Sequence, residues 1–146
     1  PSTVSRLLDM GIAPFLITST VSLIVAQRLA GKVCDKCKVS ERIEDSVLIK
    51  AGVKPEEVGD YQTMRGEGCS ACNGSGVKGR IAIYELMMMS NPLREIILKE
   101  GSPVDIKKAA IKGGMISLRQ SSLQKLKNGQ ISMEQVLTVT VADDQA

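Results

Sequence analysis

Two Cys-x-x-Cys pairs constrain this chain more than any other feature of its sequence. Cys34 and Cys37 form the first pair, Cys69 and Cys72 form the second, and residues 38–68 lie between them. These are all the cysteines of the chain, which has no histidine. Two residues between cysteines let both thiolates face one metal ion from a tight turn, and two such turns complete the tetrahedral sulfur shell that suits Zn²⁺. We therefore predict one structural zinc site with these four cysteines as its ligands.

Three other uses of the cysteines fit the sequence less well. Disulfides form in exported proteins, and nothing in the sequence indicates export. A thioredoxin-like redox role needs only one pair, placed before a helix in a βαβ unit. A catalytic zinc ion keeps one position open for water or substrate, whereas four thiolates leave none. We predict no catalytic residue.

Glycines surround the second pair, and lysines and arginines flank both pairs. A glycine next to a thiolate turn tolerates a positive φ and allows backbone N–H groups to approach sulfur. The basic residues would partly screen a negative zinc–thiolate centre, although each fits a solvated surface position equally well. They are Lys32, Lys36, Lys38, Lys78 and Arg80.

Composition argues against nucleic acid as a partner. The net charge is +3 with neutral thiols, and four thiolates around one Zn²⁺ would make it less positive. The chain has one Phe, two Tyr and no Trp, so it offers few aromatic rings for stacking on bases.

The first third of the chain is predicted to form two helices. Residues Ser2–Met10 match a short helix that Gly11 ends. For the most apolar run, Ile12–Ala26, we predict one buried helix that continues to Ala30 and stops at Gly31. The run contains several hydroxyl side chains, so we predict no transmembrane segment, and it lacks the flanks of a signal peptide. The abrupt start suggests the downstream part of a longer protein.

The middle of the chain is predicted to contain two short helices and a strand. The helices cover Glu44–Gly52 and Pro55–Val58, with Leu48-Ile49 and Val53 as apolar anchors. The strand covers Gly79–Met87, and its nearly continuous apolarity predicts burial on both faces, as in a larger sheet.

Four further helices are predicted after the strand, each beginning at a capping or proline-containing motif. In three of them a serine precedes a polar partner three residues later, which is the pattern of a capping box or cap. These helices begin at Asn91-Pro92, Ser102 with Asp105, Ser117 with Gln120, and Ser132 with Gln135. A polar tail, Asp143–Ala146, ends the chain.

Six motifs are distributed along the chain: Leu8-Asp9-Met10-Gly11-Ile12-Ala13-Pro14-Phe15-Leu16, Ala26-Gln27-Arg28-Leu29, Cys69-Ser70-Ala71-Cys72-Asn73-Gly74-Ser75-Gly76, Gly79-Arg80, Tyr84-Glu85 and Gly114-Met115-Ile116-Ser117-Leu118-Arg119. Together they make nearly the whole chain, from Pro1 to about Val141, resemble the hexameric secretion ATPases, the motors of type IV pilus assembly and type II secretion.

The resemblance implies an α+β, mostly helical fold from the C-terminal part of such a motor. Residues 1–33 would end a RecA-like ATPase domain, and residues 34–80 would form an inserted tetracysteine zinc element. Residues 81–90 would be a strand that returns to the core sheet, and residues 91–146 a C-terminal helical subdomain with its tail.

The resemblance also implies the setting of the parent protein. That protein would bind ATP and Mg²⁺ as a cytoplasmic homohexamer, peripheral to the inner membrane, and would drive pilin or pseudopilin assembly through an inner-membrane platform protein. This chain has no Gly-rich loop ending in Gly-Lys-Ser/Thr and no acidic Walker B stretch. We therefore expect it to be inactive alone. For Arg28 we favour a charge at a helix C-terminus over contact with nucleotide.

Two alternatives belong to other classes. The second pair reads Cys-x-x-Cys-x-Gly-x-Gly, which is similar to the repeat of J-domain chaperones, but the first pair lacks the glycines. A nucleic-acid-binding zinc ribbon is disfavoured by the low charge and few aromatic residues. On either alternative, or in the motor, the metal would close a long loop. We therefore expect Cys69→Ser to loosen residues 32–80 and to leave the helices after Asn91 folded.

Overall fold

The computed structural model describes residues 2–143, and its fold is α+β. In chain order its elements are α1 (Ser2–Asp9), α2 (Pro14–Thr20), β1 (Leu23–Val33), β2 (Lys38–Ser40), α3 (Asp45–Lys50), β3 (Met64–Gly66), β4 (Val77–Met88), α4 (Asn91–Leu98), α5 (Pro103–Lys112), α6 (Leu118–Lys127) and α7 (Met133–Val139), with 3₁₀ turns at Pro55–Asp60 and Ser70–Cys72. β1 pairs with β4, and β2 pairs with β3 in an antiparallel ladder. Beyond Asp143, the predicted tail lies outside the described residues.

No helix within residues 2–143 has both the length and the apolarity that a bilayer crossing requires.

The prediction of one helix over Ile12–Ala30 is wrong. Only Pro14–Thr20 is helical, because the chain becomes extended at Val21 and continues as β1. The hydroxyls of Thr18, Ser19 and Thr20 donate to carbonyl oxygens one turn back, a competing arrangement that weakens a helix end. Pairing with β4 then satisfies the backbone of the apolar run that follows.

This correction changes the roles of two residues inside β1. Gly31 does not stop a helix, and Arg28 is not a charge at a helix C-terminus, because both lie within the strand. Apolarity alone does not distinguish a short buried helix from a strand. Here the residues of β1 form a strand because they pair with β4, which is distant in sequence.

The predicted strand is confirmed as β4, but its predicted burial on both faces is wrong. Ile83, Glu85 and Met87 are buried, while Tyr84 and Leu86 on the opposite face remain 46% and 50% exposed. The exposure alternates with the two-residue period of a strand.

One compact unit joins the residues up to Ala26 with Glu85–Ser117. Its core brings together α1, α2, the end of β4, α4 and α5. The predicted Ser102 cap is confirmed, since its Oγ accepts the Asp105 N–H at 3.2 Å. The core side chains are Val4, Ile17, Met87, Leu93, Ile97, Ile106, Ala110 and Met115.

The other unit joins Gln27–Tyr84 with the described residues from Leu118 onward. A single core contains side chains from the segment between the cysteine pairs together with α6 and α7. The predicted anchors Leu48 and Val53 belong to it, whereas Ile49 is 42% exposed. The core side chains are Ala30, Leu48, Ala51, Val53, Ile83, Leu123, Leu126, Ile131, Met133 and Val136.

Two polar side chains hold the second unit together in ways that its local sequence does not indicate. The predicted Ser132–Gln135 capping box is wrong: Ser132 makes no side-chain cap bond, and Gln135 Oε1 accepts the Gly31 N–H at 2.7 Å. The Arg119 guanidinium on α6 donates to the Thr140 carbonyl, just after α7, at 2.9 Å. A cation is favourable there because helix C-termini carry partial negative charge.

Candidate metal centre

The first cysteine turn begins where β1 ends at Val33. The Cys37 N–H donates to the Cys34 carbonyl at 3.2 Å, which closes the turn before β2 begins. The Cys34 N–H donates to the Gly76 carbonyl at 2.9 Å. The first turn is thereby tied to the glycines that follow the second cysteine pair.

The second cysteine turn is a 3₁₀ turn over Ser70–Cys72 with left-handed residues behind it. Asn73 has φ 52° and Gly74 has φ 77°, which sends the chain back so that the Gly74 N–H donates to the Cys69 carbonyl at 2.9 Å. Asparagine and glycine are the residues that tolerate this conformation best.

The two turns bring all four predicted ligands together. The sulfur atoms lie within 4.8 Å of one another, and none is in a disulfide. Sγ–Sγ distances are 3.9 Å for Cys34–Cys69, 3.9 Å for Cys37–Cys72 and 3.7 Å for Cys69–Cys72. A tetrahedron with Zn–S bonds of about 2.3 Å has sulfur atoms about 3.8 Å apart. The donor set and its spacing therefore fit a tetrahedral Zn²⁺ ion.

Backbone N–H groups point at cysteine sulfurs, as the flanking glycines led us to predict. Cys72 Sγ accepts the N–H groups of Cys69 and Gly76, both at 3.2 Å. Cys37 Sγ accepts the Gly68 N–H at 3.3 Å. Gly68 and Gly76 both have positive φ. Such donors stabilise thiolates and orient them toward a metal.

The sulfurs differ in how readily they lose their protons. Burial raises the pKa of Cys37 to about 12. The hydrogen bond from the Gly68 N–H acts in the opposite direction, and the neighbouring thiols add to the rise. Burial also opposes ionisation of Cys72, but the N–H groups of Cys69 and Gly76, aided by adjacent thiols, lower its pKa to about 6. The cluster therefore favours a thiolate at Cys72, and a cation bound among the sulfurs would replace the proton of Cys37.

Two pairs of glycines lie backbone to backbone beside the cysteines. A Cβ on Gly66 would overlap the Gly76 carbonyl, and a Cβ on Gly68 would come within 2.5 Å of the Gly74 carbonyl oxygen. The sequence predicts the conformational freedom of the glycines around the second pair but does not predict this close packing. The only available signal was the alternation of glycine over residues 66–68 and 74–76.

The flanking basic residues are mainly surface groups. Lys32 and Lys38 contact the exposed Asp35 carboxylate at 2.9 and 3.8 Å. Lys78 and Arg80 are exposed on β4. Ion pairs this exposed contribute little to stability.

A family model described as type II/IV secretion system protein matches residues 1–138. The chain is 44% identical over 144 residues to the type IV pilus assembly ATPase PilB of Myxococcus xanthus, covering 98% of this chain and 25% of that relative. It is 38% identical to PilB of Pseudomonas aeruginosa, covering 94% of this chain and 24% of the relative. It is 34% identical to type II secretion system protein E of Aeromonas hydrophila, covering 96% and 27%.

The chain thus spans about a quarter of the length of these relatives. The similarity includes both cysteine turns and the helices on either side, so it does not rest on the cysteines alone. By the family model and by these relatives, the chain belongs to the type II/IV secretion system protein family.

Proposed function

We propose that the chain is the C-terminal part of a motor ATPase that couples ATP hydrolysis to pilin or pseudopilin assembly. The observation that carries the proposal is the 44% identity, over 98% of this chain, to a relative named as a type IV pilus assembly ATPase. The family match over residues 1–138, with the resembling motifs in order along them, supports the same placement.

Within that motor, the chain acts as a zinc-stabilised structural and interaction module. Cys34, Cys37, Cys69 and Cys72 hold one Zn²⁺ ion, which links the two cysteine turns. Four thiolates saturate the ion, so the metal supplies structural cross-linking and no catalysis. The sulfur spacing and the N–H groups directed at Cys37 and Cys72 support this assignment.

The whole protein binds ATP and Mg²⁺ and works as a homohexamer in the cytoplasm, held at the inner membrane by a platform protein. In it, residues 1–33 end the RecA-like domain, residues 34–80 form the zinc element, residues 81–90 return to the core sheet, and residues 91–146 form the C-terminal helical subdomain. Relatives named for pilus assembly and for type II secretion support a motor of one of these two systems.

A chimera tests the proposal directly. This chain would replace the matching quarter of M. xanthus PilB, and the purified chimera would be assayed for ATP hydrolysis, zinc content and hexamer formation. We expect an active hexamer with one zinc ion per chain. The Cys69→Ser chimera should lose zinc and most of its activity, while the matched Ser70→Ala chimera should keep both.

A folded chimera that contains zinc but neither assembles nor hydrolyses ATP would overturn the motor assignment. An active chimera without zinc would overturn the metal assignment alone. X-ray absorption of the zinc-containing protein should show sulfur in every ligand position, and nitrogen or oxygen ligands would contradict the four-cysteine site.

A further inference from the structure

The four cysteines are not equally buried. Cys34 and Cys72, the outer members of the four in sequence, are buried. Cys37 and Cys69 are only half-buried, so each pair contains one cysteine that is less shielded from solvent than its neighbour. A reagent approaching the cluster from water therefore meets Cys37 or Cys69 first.

Hydrogen bonding distinguishes these two accessible sulfurs. Cys37 Sγ accepts the Gly68 N–H at 3.3 Å. The N–H that faces Cys69 Sγ is that of Cys72, and it also donates to the Cys69 carbonyl oxygen at 3.2 Å. A hydrogen bond from an N–H group withdraws charge from a thiolate and lowers its nucleophilicity. Because Cys69 Sγ shares its donor with a carbonyl oxygen, Cys69 is more reactive than Cys37.

We propose that Cys69 is the site at which soft electrophiles and peroxides modify the zinc cluster, and that its modification releases the metal. This inference rests on the zinc site assigned above. The structure supplies a second sulfur to complete the reaction, because Cys72 Sγ lies 3.7 Å from Cys69 Sγ.

The oxidation proceeds in two balanced steps with hydrogen peroxide as oxidant. The Cys69 thiolate attacks one peroxide oxygen, the O–O bond breaks, hydroxide leaves, and Cys69 becomes a sulfenic acid. The Cys72 thiolate then attacks that sulfur and expels a second hydroxide as the S–S bond forms. Two thiolates lose two electrons in total, and the peroxide becomes two water molecules after protonation. A disulfide sulfur is a poor zinc ligand, so the ion leaves.

Competition labelling of the unmodified, zinc-loaded chain tests the order of reaction without any variant. Less than one equivalent of N-ethylmaleimide, or separately of hydrogen peroxide, would be added while a chromogenic zinc indicator follows metal release. Peptide mapping would then locate the modified cysteine. We expect Cys69 to carry most of the maleimide, a Cys69–Cys72 disulfide after peroxide, and zinc released in proportion to modification.

Labelling that begins at Cys37, or modification of Cys69 without zinc release, would overturn the inference. The same labelling of denatured chain with the metal chelated serves as control, and there the preference for Cys69 should disappear. A preference that persists after denaturation would show that the fold is not its cause. Failure of the chain to bind zinc at all would instead contradict the proposed metal site.

Discussion

The backbones of Gly66 and Gly76 lie so close together that a Cβ on either would overlap the other's carbonyl group. Gly76 also joins the two cysteine turns, because its carbonyl accepts the Cys34 N–H at 2.9 Å and its N–H donates to Cys72 Sγ at 3.2 Å. A single glycine thus sets the separation of the two turns that bring the four cysteine sulfurs together.

We expect Gly76→Ala to disrupt the metal site by separating the turns. The added methyl group meets backbone atoms, which cannot rotate away, so the loss of stability should exceed about 3 kcal/mol. Gly79→Ala is the matched control, because Gly79 also has a positive φ (81°) but has open space at its Cβ position. Strain in φ alone should cost about 1–2 kcal/mol there.

Zinc content and denaturant unfolding of the two variants would be compared. Equal zinc affinity in Gly76→Ala and Gly79→Ala would show that the close approach to Gly66 is unimportant for the site.

The clustering of the four cysteines could be predicted from sequence because their spacing within each pair is local. Two residues between cysteines define each turn, and the glycines that flank the second pair predict the left-handed conformations found there. The Ser102 cap was likewise a local pattern, satisfied within one helical turn.

The parts that sequence analysis missed depend on distant partners. β1 is a strand because it pairs with β4, and no periodicity within Ile12–Ala30 indicates that pairing. Gln135 follows Ser132 at capping-box spacing, yet its side chain accepts a hydrogen bond from Gly31 instead. The short ladder of β2 and β3, with Val39 opposite Arg65, has too few residues to produce a recognisable pattern.

The Gln135–Gly31 hydrogen bond gives a second prediction. Gln135→Ala leaves the Gly31 N–H within β1 without this partner, and an unsatisfied, partly buried donor costs about 1–3 kcal/mol. Gln124→Ala, at an exposed position of α6, should change the unfolding free energy by no more than about 0.5 kcal/mol. Urea unfolding of both variants checks this, and equal stabilities would show that water replaces the Gln135 oxygen without cost.

A third prediction concerns nucleotide. The isolated chain should neither hydrolyse ATP nor bind Mg-ATP tightly, because it has no glycine-rich loop with its lysine to hold the phosphates. Calorimetric titration and a phosphate-release assay on rigorously purified chain would test this, with the PilB chimera as positive control. Micromolar Mg-ATP affinity in the isolated chain would contradict the prediction.

The last prediction concerns which helices lose stability when zinc is removed. From the sequence alone, removal of zinc is expected to loosen residues 32–80 and to spare the helices after Asn91. The structure changes that expectation, because Leu48 and Val53 share one core with Leu123 of α6 and Val136 of α7. Side chains of α4 and α5 pack in the other core, with α1 and α2.

We therefore expect Cys69→Ser, or chelation, to lower hydrogen-exchange protection in α3, α6 and α7, as well as in the cysteine turns. Apparent zinc-binding free energies of about 10–16 kcal/mol rival the total stability of a domain, about 5–15 kcal/mol, so the loss should be large. Protection in α4 and α5 should change little, because, among the residues that the structure describes, none from 34 to 72 belongs to their core.

Segment-resolved hydrogen exchange of Cys69→Ser and of the matched Ser70→Ala variant would measure this distribution. Loss confined to residues 32–80 would mean that α6 and α7 stay folded without the segment that packs against them. Equal loss in α4 and α5 would mean that the two cores unfold together. Only the selective loss in α3, α6 and α7 agrees with a metal ion that supports one of the two cores.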